Sequence, residues 1–121
     1  MTGFEIHFAP LQGYTDCVYR KVHAAIFGGV DTYYTPFLRV ENGCVRSKDL
    51  HDIVRSDNSP HNVIPQLIAA NPDELSYLTD LVVKEGYNRV DINMGCPFPK
   101  QTRLKRGARL LAFPEDAARL L

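Results

Sequence analysis

A chain of 121 residues with an apolar fraction of 45% is long enough for one modest domain around a hydrophobic core. Fourteen Lys and Arg balance fourteen Asp and Glu, so net charge points to no polyanionic partner, and a nucleic-acid site would have to come from a local cluster. No apolar run approaches the roughly 20 residues of a membrane helix, and Met1-Thr2-Gly3 leads straight into a strand-like run without a secretory leader, which predicts a cytoplasmic protein.

Phe4 to Ala9 reads as a first strand, broken by Pro10 and Gly13. Thr15 is the expected N-cap of a helix running to about Phe27, where Gly28-Gly29 stops it. Val30 to Phe37 is rich in β-branched and aromatic residues and reads as a second strand, with Pro36 near its end. Ser47 is expected to cap a short helix with Leu50, Ile53 and Val54 on one face. Val63 to Ile68 is the third strand. The next helix has Asn71 as N-cap, Pro72 at its first position, Glu74 reaching back, and Leu75, Leu78 and Val82 at helical spacing before Gly86. Arg89 to Met94 is the fourth strand; after a loop, Pro114 opens a helix expected to be still running at Leu121.

This alternation predicts βαβ units and a parallel sheet, either an open doubly wound sheet or a (β/α)8 TIM barrel. The G-x-G-x-x-G turn of many dinucleotide folds is missing after strand one, where Pro10-Leu11-Gln12-Gly13 stands, and this favours the barrel. A barrel needs ~250 residues. Residues 1–121 would then be an N-terminal half of about the first four βα units, and the helix stopping uncapped on Leu120-Leu121 fits that expectation. A natural small α/β domain is the other reading.

In such folds chemistry gathers at the C-terminal ends of strands. On strand four, Val90, Ile92 and Met94 face one way and Asp91 and Asn93 the other, towards the interior, where an unpartnered polar group is costly. Asn93 could meet a bound polar ring or a neighbouring strand end; Asp91 reads as structural. Cys96, between Gly95 and Pro97, could be a nucleophile, a proton donor or a buried thiol. Cys17 and Cys44 read as incidental. The three cysteines lack C-x-x-C spacing and the four histidines do not cluster with them, which predicts free thiols in a reducing compartment and no structural metal. Lys100, Arg103, Lys105, Arg106 and Arg109 crowd one segment, with no Asp or Glu between Met94 and Pro114. Such a segment suits a polyanion, a phosphate of a small cofactor, or plain solvation.

The run from Ala9 through Pro10, Leu11, Gln12, Gly13, Tyr14, Thr15 and Asp16 to Arg20 resembles the opening A-P-M-x-G-x-T-D-x-x-F/Y-R motif of the tRNA-dihydrouridine synthases. Gln66-Leu67 is similar to that family's strand-three Q-L. Asp91-Ile92-Asn93-Met94-Gly95-Cys96-Pro97 matches its D-I-N-M-G-C-P signature, with Lys100 at the usual lysine, and Gly107-Ala108-Arg109-Leu110-Leu111 resembles the G-A/S-x-L-L that follows. The motifs occur in order over nearly the whole chain. The resemblance implies a flavin TIM barrel with a C-terminal helical domain outside this chain. It implies FMN as cofactor, NADPH or NADH as reductant, tRNA as substrate, and a monomer. By resemblance Cys96 is the general acid. Pro10 and Leu11 line the isoalloxazine, Gln66 hydrogen-bonds it, and Asn93 lies against flavin or uracil. Lys100, Arg103, Lys105 and Arg106 hold phosphates of a tRNA whose target base is flipped out. Leu11 replaces the usual Met, a mild apolar exchange, and Gln12 a commonly small or acidic residue. The family's later flavin lysine, histidine and phosphate loops would lie beyond Leu121. Two alternatives stay open: a dihydroorotate dehydrogenase-like flavin barrel, or an inactive fragment that only binds RNA or a partner chain.

Overall fold

The computed structural model describes residues 3–58 and 61–121. Met1 and Thr2, read above as leading into the first strand, lie outside the described residues, as do Ser59 and Pro60. The described chain is α/β with parallel strands. β1 (His7–Phe8), β2 (Thr32–Tyr34) and β5 (Val63–Ile64) form a parallel sheet in that order, with Phe8 opposite Tyr33 and Tyr33 opposite Val63. β6 (Gln66–Leu67) pairs in parallel with β7 (Asp91–Ile92).

The expected strand from Val63 to Ile68 is therefore two strands, because Pro65 has no N–H to give the ladder. Its carbonyl still accepts from the Asp91 N–H at 2.9 Å. Leu38, just past β2, bridges the break: its N–H donates to Gln66 O at 2.9 Å, and its carbonyl accepts from Ile68 N–H at 3.0 Å. Four strand lines thus follow one another in chain order. Each is shorter than its apolar run, since only a few residues in each find ladder partners.

Between them lie α1 (Cys17–Ile26), α2 (Ser47–Asp52), α3 (Arg55–Asn58) and α4 (Pro72–Lys84), and after β7 come α5 (Pro99–Thr102), a 3-10 helix (Gly107–Ala112) and α6 (Pro114–Arg119). α6 closes at Leu120 and does not run on to Leu121. The N-cap of α1 is Asp16, whose carboxylate accepts from Tyr19 N–H at 2.9 Å, and not Thr15. The Thr15 hydroxyl is spent on Leu11, accepting from its N–H at 2.8 Å. Arg46, not Ser47, stands before α2, without a side-chain cap. Asn71 does cap α4, accepting from Glu74 N–H at 3.0 Å, while Glu74 reaches one residue further back, to Ala70 N–H at 2.8 Å. Leu78 and Val82 of α4 are wholly buried against Tyr33, Leu38, Leu67 and Ile53. Each such burial contributes about 1.5–3 kcal/mol.

A hairpin, β3 (Val40–Glu41) and β4 (Cys44–Val45), is an addition that the sequence reading missed. Its turn is Asn42-Gly43, at φ 51° and 79°, a pair suited to two consecutive left-handed residues. Among the described residues no helix is long and apolar enough to cross a membrane.

Candidate active site

The pairing of Gln66 with Asp91 brings two polar side chains together at the end of the sheet. Gln66 Nε2 donates to Asp91 Oδ2 at 2.6 Å, and Gln66 Oε1 accepts from Asn93 Nδ2 at 2.9 Å. Asn93 Oδ1 in turn accepts from the backbone N–H groups of Gly95 at 3.1 Å and Cys96 at 2.9 Å. A short Asx-type turn thus fixes the cysteine backbone directly to the strand end. One hydrogen-bonded line runs from Asp91 through Gln66 and Asn93 to Cys96. A carboxamide has two N–H donors. Gln66 and Asn93 each spend one within this line, and each keeps one for another acceptor.

The Cys96 loop is also held from the other side. Ala108 N–H donates to Cys96 O at 3.0 Å, and Gly107, at φ 59°, packs on the same backbone. A Cβ on Gly107 would stand 2.6 Å from Cys96 O. Cys96 itself is a half-buried free thiol.

The basic residues separate into two groups. Arg106 is buried, 3% exposed, and does not reach solvent as the phosphate assignment requires. Its guanidinium donates to Glu74 through Nη2 at 2.7 Å and Nε at 3.1 Å, and to Val40 O at 3.0 Å. It is an internal strut joining the loop to α4 and the hairpin, and is withdrawn from the phosphate contacts. Lys100 pairs with Glu41 at 2.8 Å, and Arg39 Nε donates to the same carboxylate at 2.6 Å. Hydrogen bonds from Lys100 and then Arg39 hold the Glu41 carboxyl at about 2, well below its ordinary 4.5. Arg103, Lys105 and Arg109 are exposed.

At the end of β1, Leu11 is exposed and Pro10 half-buried. The Leu11 carbonyl accepts from Tyr14 and Thr15 N–H at 3.0 and 3.1 Å, tightening the turn. Gln12, unusual by the resemblance, accepts from Phe37 N–H at 2.9 Å and so ties this turn to the end of β2. Beneath it Arg20, 2% exposed, donates to Asp52, to Thr15 O and to Asn58. Cys17 lies beside this cluster, and burial first, then Asp52, pushes its thiol up. Among the described residues no group of three or more His, Cys, Asp or Glu is placed to hold a metal.

Asp91, read from the sequence as inward-facing and structural, orients Gln66. Sequence reasoning gave no supporting role to Gly107, which abuts Cys96, or to Gln12, which locks the first turn.

The model of the family described as Dihydrouridine synthase (Dus) matches residues 7–121. The chain belongs to that family. It is 32% identical over 117 residues to a tRNA-dihydrouridine(16) synthase of Neisseria meningitidis serogroup B, covering 91% of this chain and 34% of that one. It is 32% identical over 111 residues to a probable tRNA-dihydrouridine synthase of Treponema pallidum, covering 90% and 32% respectively. With a probable tRNA-dihydrouridine synthase 2 of Bacillus subtilis it shares 29% over 119 residues, 93% of this chain and 35% of the relative. The chain therefore spans about a third of the length of these curated relatives.

Proposed function

We propose that this dihydrouridine synthase chain supplies the N-terminal half, about four βα units, of an FMN-binding TIM barrel that reduces uridine to 5,6-dihydrouridine in tRNA. The open outer edge of β1 supports the barrel, because among the described residues β1 pairs only with β2. So does the exposed apolar stripe of Val18, Val22 and Ile26 on α1, which one further βα unit would cover.

The observation that carries the reading is the hydrogen-bonded line from Gln66 to the Cys96 backbone. It leaves two amide donors and an exposed Leu11 at the strand ends, which suits a flat heterocycle with polar edges. Pro10 and Leu11 would lie along the isoalloxazine, Gln66 would donate to it, and Asn93 would donate to flavin or uracil. When bound and reduced, with NADPH or NADH as its reductant, FMN would supply the hydride taken up at C6 of uracil. Cys96 gives its thiol proton to C5, and water then reprotonates the thiolate. Asn93 fixes the thiol's position through the Cys96 N–H. Arg103 and Lys105 hold phosphates of the tRNA, while Lys100 is engaged by Glu41. The enzyme works as a cytoplasmic monomer.

The test is uridine reduction on tRNA lacking the modification, read by nucleoside chromatography, in the complete enzyme. Cys96→Ala should keep FMN bound and lose about 10²- to 10⁴-fold in rate. An unchanged rate removes Cys96 from the mechanism. FMN fluorescence that the 121-residue chain fails to quench would show that these strand ends do not hold the ring alone.

A further inference from the structure

Beside Cys96 lies an open cleft of about 580 Å³, lined by Pro97, Thr102, Arg103, Lys105, Ala108 and Arg109. Three cations line it and no carboxylate does. Elsewhere on this loop the cations are matched: Lys100 by Glu41 and Arg106 by Glu74. Among the described residues Arg103, Lys105 and Arg109 make no ion pair.

Three like charges in one cleft would be expected to swing apart into water. Two of them are gathered instead over one aromatic ring. Lys105 Nζ stands 4.5 Å, and Arg109 Cζ 5.2 Å, from the centroid of Phe113. The ring's negative face favours cations and restrains long side chains that are otherwise free. The backbone contributes too. Lys105 sits at φ 57°, a left-handed conformation uncommon outside glycine. That turn lets Arg106 go inward to Glu74 while Lys105 stays on the cleft. The cleft also adjoins the proposed acid. Pro97 follows Cys96 directly, and Ala108 N–H donates to Cys96 O at 3.0 Å.

From this geometry we infer that Arg103, Lys105 and Arg109, gathered around Phe113, form a clamp for the phosphodiester groups of the RNA strand that carries the reacting uridine. The clamp rests on the RNA reading above and adds Arg109 and Phe113 to it. The cleft is open to solvent, which suits an extended strand better than an enclosed small anion.

The test is fluorescence anisotropy of a labelled oligouridylate of about ten nucleotides against the 121-residue chain, without FMN. Three neutralised phosphates give a slope of log affinity on log salt near −2, or about an 18-fold loss between about 50 and about 200 mM salt. Arg109→Gln should reduce that loss to about 7-fold. Phe113→Leu, which leaves every charge in place, should weaken binding about three- to fivefold at low salt. Arg119→Gln, on exposed α6, should change nothing. Wild-type behaviour in both Arg109→Gln and Phe113→Leu overturns the clamp, as does displacement of the oligonucleotide by low-millimolar inorganic phosphate. If circular dichroism shows that Phe113→Leu unfolds the chain, Arg109→Gln alone decides. Neither flavin nor the Cys96 thiol enters this assay, so strand binding without uridine reduction would sink the catalytic reading and leave the clamp.

Discussion

Gly107→Ala is the sharpest single perturbation of the site. Gly107 has φ 59°, where an alanine costs about 1–2 kcal/mol. Its Cβ would also stand 2.6 Å from Cys96 O, 3.1 Å from Cys96 Cβ and 3.2 Å from Cys96 N. These are mostly backbone atoms in a turn pinned by Asn93 and Ala108, so no flexible side-chain end can yield. Overpacking of this kind costs about 1–3 kcal/mol. Together the two effects predict a destabilisation of about 2–5 kcal/mol, or roughly 8–20 °C in Tm for a domain of this size. Relief requires the two segments to part by roughly half an ångström, which moves Cys96 from its seat. A misplacement approaching 1 Å costs about 10²-fold in rate where geometry is demanding. The assay is iodoacetamide alkylation followed by peptide mass spectrometry, with exposed Cys44 as internal reference, alongside a thermal melt. The Cys96-to-Cys44 alkylation ratio should change severalfold while Cys44 keeps its own rate. A ratio and a Tm both equal to wild type would refute the close packing of Gly107 on Cys96.

Two further predictions concern charge. Arg106→Met should cost about 3–5 kcal/mol, because it strands the partly buried Glu74 carboxylate, whereas Lys100→Ala should cost under about 1 kcal/mol at its exposed pair; urea midpoints compare them directly. Glu41 has a folded value near 2 against an ordinary 4.5, so its contribution to stability is present above about pH 4.5 and is lost as pH falls towards 2. Thermal melts across that range should show Glu41→Gln less pH-dependent than wild type, and parallel curves would deny the linkage.

What the sequence made legible was chemistry that acts over a few residues. Asn71, Pro72 and the Leu75, Leu78, Val82 stripe specify α4 with no help from the rest of the chain, and they were readable. At α1 two good caps stood side by side. The choice of Asp16 over Thr15 depended on Leu11, whose turn consumes the threonine hydroxyl. The Asn42-Gly43 hairpin had its turn signal in plain view, but strands of two residues are too short to show alternation. Pro65 likewise announced a break that the apolar run around it concealed. For Asn93, the inward face followed from strand period, and the structure joins it to Gln66, on a neighbouring strand. That partner depends on register, which no local pattern contains.

The basic loop marks the limit of sequence reading more clearly. Five cations within ten residues look equivalent on paper, and all were grouped as one electrostatic feature. In the fold they divide by partner. Glu74 and Glu41, both distant in sequence, draw Arg106 inward and Lys100 onto the hairpin. Those two cations hold the loop in place, and the three without carboxylates remain to meet an anion. The left-handed residue at Lys105 makes this division possible, since it reverses the chain between a cleft-facing lysine and a buried arginine. On the proposed function, a loop that seats the acid thiol and receives RNA phosphates needs cations for two incompatible surroundings. The position of the acids on α4 and the hairpin decides which cation serves which.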